Sequence, residues 1–555
     1  MVSIAKYEIF SFVIAALFFI TGLGMWIAFW PIFNSELEAN YKLRGNIDGS
    51  LKYAAFLYAN PPMKNVMKFN LFNVTNPDEV KYYGAKPELI EVGGYGFLES
   101  EQKKYYEFSS DKTQMFYQNY KQYHYSPEDT SEGFSYDDYV LFPNSISAGA
   151  VATIFGPTSE FSKTAQSIVS IGLVVLGEYP FISKKVKDVL FEGYEDPLLN
   201  VAHSQLFTSL VRFFGYGDQL SYLPEMKTFA YLSGYNNSYD ENYWINTGYK
   251  DFSKLGFVES WAGLKELPAS FWPTEEARRI RGPDSGSLSK LHLTKSDELP
   301  FFLSFMCRSF KKTYWQSGMV DGIKTMAFAV PEEEFDTTLE QNAGFRYKNT
   351  ENVDYFPEWC SETDQENTQY TLFEVILWSF SKSSNSSSNC QKTANGTYLL
   401  PPGLFPLVCY PGHNAQPPFT VIVSPPHFLY SPPEVQHRLS GMSPNPQTHK
   451  PMVFHQEKTS GTALQVDVRF QVNLPVVNNK RSIMSSQMPN VLIPLFYEDS
   501  HAVVKDFVMN TVWLGVIIVP RIIKYLKFVL IFVAICILTI LLVIRVRVKG
   551  SVSVV

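Results

Sequence analysis

The stretch LQVDVRFQVNL, residues 464–474, alternates apolar and polar side chains without a break. Leu464, Val466, Val468, Phe470, Val472 and Leu474 fall on one side. Gln465, Asp467, Arg469, Gln471 and Asn473 fall on the other. A period of two marks a β-strand, and a strand with one apolar face fits an antiparallel sheet wetted on its other face. The expectation is a strand whose polar residues face water.

Other stretches extend the reading. Residues 66–74 (VMKFNLFNV) alternate in the same way, and residues 91–99 (EVGGYGFLE) and 115–125 (MFYQNYKQYHY) are further strand candidates. Residues 325–330 and 419–423 are more continuous apolar runs. Aromatics make up 15% of the 555 residues, with 33 Tyr and 44 Phe, which suits a strand-rich body with much buried surface. Asn76-Pro77-Asp78-Glu79 reads as a helix start, with Asn as the cap and acids near the positive end of the dipole. The predicted fold class is mainly β with α (α+β).

Two apolar runs bracket this body. Residues 528–544 (FVLIFVAICILTILLVI) carry no charge and are fenced by Lys527 on one side and Arg545, Arg547 and Lys549 on the other. A helix of that length, rising about 1.5 Å per residue, crosses a hydrocarbon core of roughly 30 Å. Residues 9–31 (IFSFVIAALFFITGLGMWIAFWP) form the partner, with Trp26 and Trp30 placed as an interfacial belt. The run is too long for a signal-peptide core and lacks a small-residue cleavage site, so it reads as an uncleaved anchor. The expected organisation is an N-tail at 1–8, a membrane helix at 9–31, a loop at 32–526, a second membrane helix at 527–544 and a C-tail at 545–555. The lead-in at 512–527 (VWLGVIIVPRIIKYLK) reads as an amphipathic helix at the membrane interface.

Cysteines and sequons set the side of the membrane. Cys536 lies inside the second anchor and reads as packing. Cys307, Cys360, Cys390 and Cys409 are an even, clustered set without CxxC or zinc spacing, which implies two disulfides with three connectivities open. Asn73, Asn236, Asn385 and Asn395 each begin a glycosylation sequon. Paired thiols and sugars place the loop outside the cytosol and both tails within it, in keeping with the basic C-tail.

Residues 148–190 break the strand pattern. FSKTAQSIVSIGLVVL (161–176) begins amphipathic and turns wholly apolar from Ile171, and Gly177 and Pro180 end it. Phe181, Ile182, Val186, Val189 and Leu190 then mark one face of a second helix, with Lys184, Lys185 and Lys187 on the other. The pair fits either a buried hairpin or an exposed apolar cap.

Catalytic signals are lacking. There is no HExxH, P-loop or GxSxG, and the nine His are scattered. His427, within SPPHFLY between prolines, reads as structural. No cofactor or metal is expected, and the protein is not expected to be an enzyme. A net charge of −7 leaves no basic footprint for nucleic acid. Mean hydropathy near zero excludes a transporter of many spans.

Several segments together resemble the class B scavenger receptor family, which includes the fatty acid translocase and the lysosomal integral membrane protein. They are KFNLFNVTNPDEV (68–80), KPELIEVGGYGF (86–97), GYEDPLL (193–199), MCRSF (306–310), SPPHFLYSPPEV (424–435), GMSPNPQTH (441–449) and RFQVNL (469–474). Their order and the two terminal anchors extend the resemblance over essentially the whole chain. It implies a large irregular antiparallel β-barrel ectodomain with an internal apolar tunnel and an apical helical bundle at 148–190. It implies a plasma-membrane receptor that binds fatty acids, sterols, phospholipids or lipoprotein particles at its apex and passes lipid along the tunnel. A lysosomal membrane is less favoured, because the C-tail has no acidic dileucine signal. Homo-oligomers are compatible with the resemblance. A receptor for protein ligands, in adhesion, phagocytosis or hydrolase delivery, is the alternative on the same fold. The apex residues so implied are Phe161, Ile168, Ile171, Leu173, Val174, Val175, Leu176, Lys184 and Lys185. The resemblance also implies disulfides Cys307–Cys409 and Cys360–Cys390, within a disulfide-linked region at 307–409. Scavenging members carry lysines at the apex helix end. Here that stretch reads GLVVL (172–176), with lysines only from Lys184 onward, which argues against recognition of oxidised lipoprotein.

Overall fold

A computed structural model describes residues 2–156, 159, 161–202, 204–213, 215, 226–345, 355–356, 399–408 and 419–552. Its strands are β1 (Met63–Val74), β2 (Leu89–Phe108), β3 (Gln114–Tyr125), β4 (Tyr139–Pro143), β5 (Phe181–Lys185), β6 (Tyr194–Glu195), β7 (Thr228–Phe229), β8 (Ser238–Asn246) and β9 (Val258–Trp261). They continue as β10 (Glu298–Leu303), β11 (Arg308–Val320), β12 (Ile323–Ala329), β13 (Phe405–Pro406), β14 (Ile422–Ser424), β15 (Met452–Glu457), β16 (Ala463–Val476) and β17 (Val491–Val504). The α-helices are α1 (Val2–Tyr41), α2 (Tyr53–Ala59), α3 (Pro77–Tyr83), α4 (Ser145–Phe155), α5 (Lys163–Val175), α6 (Pro197–Ala202) and α7 (Gln205–Phe213). After them come α8 (Glu275–Arg278), α9 (Pro433–His437), α10 (Asp506–Val512) and α11 (Val519–Val552).

Most strands join one antiparallel sheet in the order β10-β11-β12-β15-β16-β17-β1-β2-β3-β8-β9, with β14 added beside β16. The two edges, β9 and β10, do not pair directly. The segment 282–285 bridges them. Val258 N donates to Gly282 O at 2.9 Å, and Ser285 N and Phe302 N bond to Phe302 O and Pro283 O at 2.8 and 2.9 Å. The sheet is therefore almost closed into a barrel, which leaves few free edge groups. Glycine is required at 282: φ is +79°, and a Cβ there would lie 2.1 Å from Pro300 O.

The largest core fills the inside. Alternate residues of several strands converge on it, among them Phe69, Phe97, Phe301, Phe310, Phe454, Phe470 and Phe496. Val466, Val468, Phe470, Val472 and Leu474 of the opening stretch face this core, and Leu464 packs in a separate cluster with Val320 and Val504. The odd residues are not a uniformly wet face: Gln465 and Arg469 keep part of their surface, but the others are buried. Gln471 and Asn473 are fully buried beneath β14. Asn473 Nδ2 donates to Ile422 O at 3.1 Å, and Gln471 Oε1 accepts from His427 N at 2.7 Å. A covering segment 44 to 51 residues upstream turns this part of the solvent face into a buried polar layer, and both side chains find partners there.

Two local expectations change. Residues 181–185 form strand β5, paired with β4 from Tyr139↔Lys185 to Pro143↔Phe181, and only after Val186 does the chain turn into a π-helix at Asp188–Glu192. The second apical helix is thus half strand: pairing with a segment about 40 residues away overrides a short helical period. Asn76 stands at the N-cap of α3, but its side chain reaches across to Glu88 N and Lys86 O instead of capping.

Both terminal helices are long and apolar enough to cross a membrane, over Tyr7–Tyr41 and Asp506–Arg547. The lead-in at 512–527 is continuous with the second of them through a π-turn at Trp513–Ile518. The two helices pack on each other. Gly22 lets them approach, since a Cβ would lie 2.7 Å from Ile531 Cγ1. Lys527 sits 4.5 Å over the Trp26 ring, and Arg545 pairs with Glu8 at 3.3 Å at the other end. Cys536 is a free thiol there.

Candidate ligand-binding apex and barrel interior

α5 begins at Ser162, whose Oγ accepts from Ala165 N at 3.2 Å. One stripe of the helix is anchored. Leu173 packs with Val151, Phe155 and Met484. Gln166 accepts from Arg481 Nη1 at 3.0 Å, and Ser170 Oγ accepts from Ile483 N at 2.8 Å. The opposite stripe is unpartnered apolar surface: Ile168, Ile171 and Val174 are exposed, and Val175 is 79% exposed. Phe213 on α7 is exposed as well. Phe161 and Leu176 are half-buried.

The helix therefore has one buried face and one open apolar face. Leu173, at 2% exposure, belongs to the buried face and is unavailable to a ligand. Lys184 and Lys185 sit on β5. Lys184 lies 4.9 Å over the Tyr194 ring, and Asp137 pairs with both Lys185 and Lys187 at 3.0 Å. Their charge is largely spent on Asp137 and an aromatic face, so α5 and β5 present apolar surface more than positive charge.

Just past the end of α5, Glu178 and Asp196 are buried side by side. Asn144 Nδ2 donates to Glu178 at 3.1 Å, and Leu198 N donates to both carboxyls, at 3.0 and 2.9 Å. Burial first, then the Asp196 charge, pushes the Glu178 carboxyl up to about 7. The pair ties α4, the end of α5 and α6 together.

The inner wall carries a polar band that the sequence reading did not single out. On β2, Glu99, Glu101 and Lys103 share the inward face with Phe97; on β3, Asn119, Lys121 and Tyr123 share it with Tyr117. Lys121 Nζ lies 3.2 Å from Glu99 and 3.5 Å from Glu101, and Lys103 Nζ lies 2.7 Å from Glu101. Asn119 accepts from Lys103 at 2.9 Å and donates to Asp240, and Tyr117 OH donates to Asp284 at 2.9 Å. Asp284 belongs to the closing segment, so the band also pins the barrel seam. Lys121 keeps 33% of its side-chain surface although it faces inward, and Val466, Val468, Tyr123 and Phe305 are only partly buried against the core. The band was legible only as alternation. Phe97, Glu99, Glu101 and Lys103 recur at every second position, but charged residues in that pattern read as the wet face.

The remaining sequence candidates divide by placement. Cys307 is disulfide-bonded. Cys360, Cys390, Cys409, Asn385 and Asn395 lie outside the described residues. Asn73 Oδ1 accepts from Leu141 N at 2.9 Å, and Asn236 bonds the backbone of Tyr123 through both amide atoms. His427, read as structural, lies inside the fold. It is buried at φ +53°, with Nε2 3.0 Å from Glu91 and Nδ1 accepting from Ser443 N. Among the described residues no group of His, Cys, Asp and Glu could hold a metal ion.

Known proteins place this architecture. The CD36 family model matches residues 13–545. Over all 555 residues the chain is 81% identical to an uncharacterized Caenorhabditis elegans protein, R07B1.3, covering 100% of both. It is 26% identical over 472 residues to rat (Rattus norvegicus) scavenger receptor class B member 1, covering 84% of this chain and 76% of that one. It is 21% identical over 478 residues to sensory neuron membrane protein 1 of Antheraea polyphemus, covering 85% and 78%. The match spans both apolar helices, so this is a two-pass membrane protein with a barrel between its spans. The chain belongs to the CD36 family.

Proposed function

We propose that this chain is a plasma-membrane receptor that captures lipid, or particles carrying it, on the apolar stripe of α5 and passes fatty acids or sterols through the barrel interior to the bilayer. The observation that carries the reading is the inner wall: inward-facing side chains that keep free surface beside an aromatic core. Each CH₂ moved from water into such a space gains about 0.8 kcal/mol. The apex supplies the entrance, since an open apolar stripe on an anchored helix captures acyl chains without ordering a loop. Both membrane helices join the same side of the barrel, near Thr462 and Pro62, which supports an exit at the lipid. Cells expressing the full chain are expected to take up a fluorescent fatty acid or sterol ester above untransfected controls. Surface expression without added uptake would overturn the reading. Uptake of protein ligand alone would favour the protein-receptor alternative.

In the same reading, Cys307 pairs with Cys409 and Cys360 with Cys390. Val408, next to Cys409, packs in the cluster that contains Cys307, which supports the first pair.

A further inference from the structure

The outer face of β2, β3 and β8 carries rings that lie outside the barrel's hydrophobic cores. Tyr117 and Asn119 are buried on the inward face, so Phe116, Gln118 and Tyr120 of β3 point out. Across the strand pair Phe116 stands opposite Trp244 of β8, Gln118 opposite Asn242, and Tyr120 opposite Tyr239. Phe116 and Trp244 pack with ring centroids 5.4 Å apart, and Tyr120 and Tyr239 at 4.9 Å. Phe116, Tyr120 and Trp244 are half-buried, and Tyr239 is exposed. Two ring platforms therefore stand four residues apart along β3, about 13 Å at strand rise, with an amide pair between them.

A β-bulge completes the second platform. The register of β2 against β3 shifts between Lys104 and Glu107, and Tyr105 in that bulge has φ +54°. A bulky residue in the left-handed region is strained, and a bulge re-aims a side chain. Here the ring is carried across β3 to Tyr239, at 5.3 Å, with the two hydroxyls 3.4 Å apart. Tyr105 is 65% exposed, so core packing does not hold it there. On β2, Lys104 stands next to Gln118 and Glu107 next to Phe116. Their charges oppose, so that edge favours an ion of neither sign.

The chemistry that fits is a sugar chain. A pyranose with equatorial hydroxyls has a flat C–H face that packs on an aromatic ring while its hydroxyls stay wet. Only a straight chain meets both platforms, and an all-equatorial linkage keeps a chain straight where an axial one curls it. Gln118 and Asn242 each offer donors and an acceptor, which an acetamide group answers in kind. An acyl chain laid over them would leave those amides unpaired.

We infer that this outer face binds a straight, neutral oligosaccharide of N-acetylglucosamine. One sugar packs on Phe116 and Trp244, another on Tyr105, Tyr120 and Tyr239, and acetamide groups bond Gln118 and Asn242. The site lies outside the barrel and is independent of lipid passage.

The test titrates the full chain in phosphatidylcholine nanodiscs, by calorimetry, with chitotetraose, cellotetraose and maltotetraose. Chitotetraose is expected to bind, and curled maltotetraose at least about tenfold more weakly. Tyr105→Ala and Tyr239→Ala are each expected to weaken chitotetraose about three- to tenfold, while thermal unfolding still shows a folded chain and lipid uptake is unchanged. Tyr239→Phe, which keeps the ring, is expected to bind within about twofold of the parent. Gln118→Leu is expected to erase the preference for chitotetraose over cellotetraose. Maltotetraose binding as tightly as chitotetraose, parent-like binding by both alanine variants, or no saccharide binding by the folded chain overturns the inference. No saccharide binding together with lipid uptake lost in the alanine variants overturns it in favour of a lipid-contact face.

Discussion

Replacing Val175 by glutamate separates ligand contact from packing at the apex, because the helix offers a matched control one stripe away. Val175 is 79% exposed, so Val175→Glu is expected to change stability by no more than about 0.5 kcal/mol. Leu173 is buried in the small cluster with Val151, Phe155 and Met484, so Leu173→Ala is expected to cost about 2–5 kcal/mol. Covering a Val side chain with lipid gains roughly 1.5–3 kcal/mol, and a glutamate under an apolar ligand forfeits it. At about 1.4 kcal/mol per decade that is a ten- to hundredfold loss of affinity. The assay is uptake of a fluorescent lipid particle by cells matched for surface protein, beside thermal unfolding of the purified chain. The account predicts a stable Val175→Glu that fails in uptake and a Leu173→Ala that fails in folding. Full uptake by Val175→Glu would refute the apical entrance.

Three further outcomes follow from the geometry. Gly282→Ala puts a Cβ 2.1 Å from Pro300 O at a positive φ, in the segment that closes the barrel; thermal unfolding should report a loss of at least about 2 kcal/mol, and an unchanged midpoint would mean the seam is not needed. Glu178 has its folded pKa raised from 4.5 to about 7, so its contribution is fully present below the unfolded value and is lost as pH rises through 7. Glu178→Gln, which imitates the protonated carboxyl, should therefore gain stability relative to the parent as pH goes from 5 to 8, and a difference flat in pH would contradict this. Cys307→Ser opens the proposed loop to Cys409, worth about 4–5 kcal/mol in the chain-entropy account, and should be retained inside the cell; normal surface arrival, read by antibody on intact cells, would count against that bridge.

Strand positions were legible where alternation is set by local burial. Residues 464–474 and 66–74 read correctly as strands because their even and odd side chains face different media. The identity of the second medium was not legible. The C-terminal half of the odd side of β16, at Gln471 and Asn473, is buried by β14 and the turn holding His427, which arrive from elsewhere in the chain. Residues 181–185 misled for the same reason: their partner, β4, is distant in sequence, and five residues cannot distinguish the two periods. The apex was legible as a helix with apolar excess, but the division between Leu173 and Val175 needed the contact with Met484 and the loop above it. The interior band was hidden because Glu99, Glu101 and Lys103 sit in ordinary strand alternation. The seam at 282–285 was hidden because Gly-Pro-Asp looks like a turn and acts as a short strand.

The most direct test of the central claim is where a lipid goes. The full chain in native membranes is incubated with a fatty acid bearing a photoreactive diazirine on its chain, irradiated, digested and mapped by mass spectrometry. The account predicts adducts on the inward face, at Val466, Val468, Tyr123 and Phe305, alongside those on the apical stripe of α5. Adducts confined to the two membrane helices, with the barrel wall unlabelled, would contradict it.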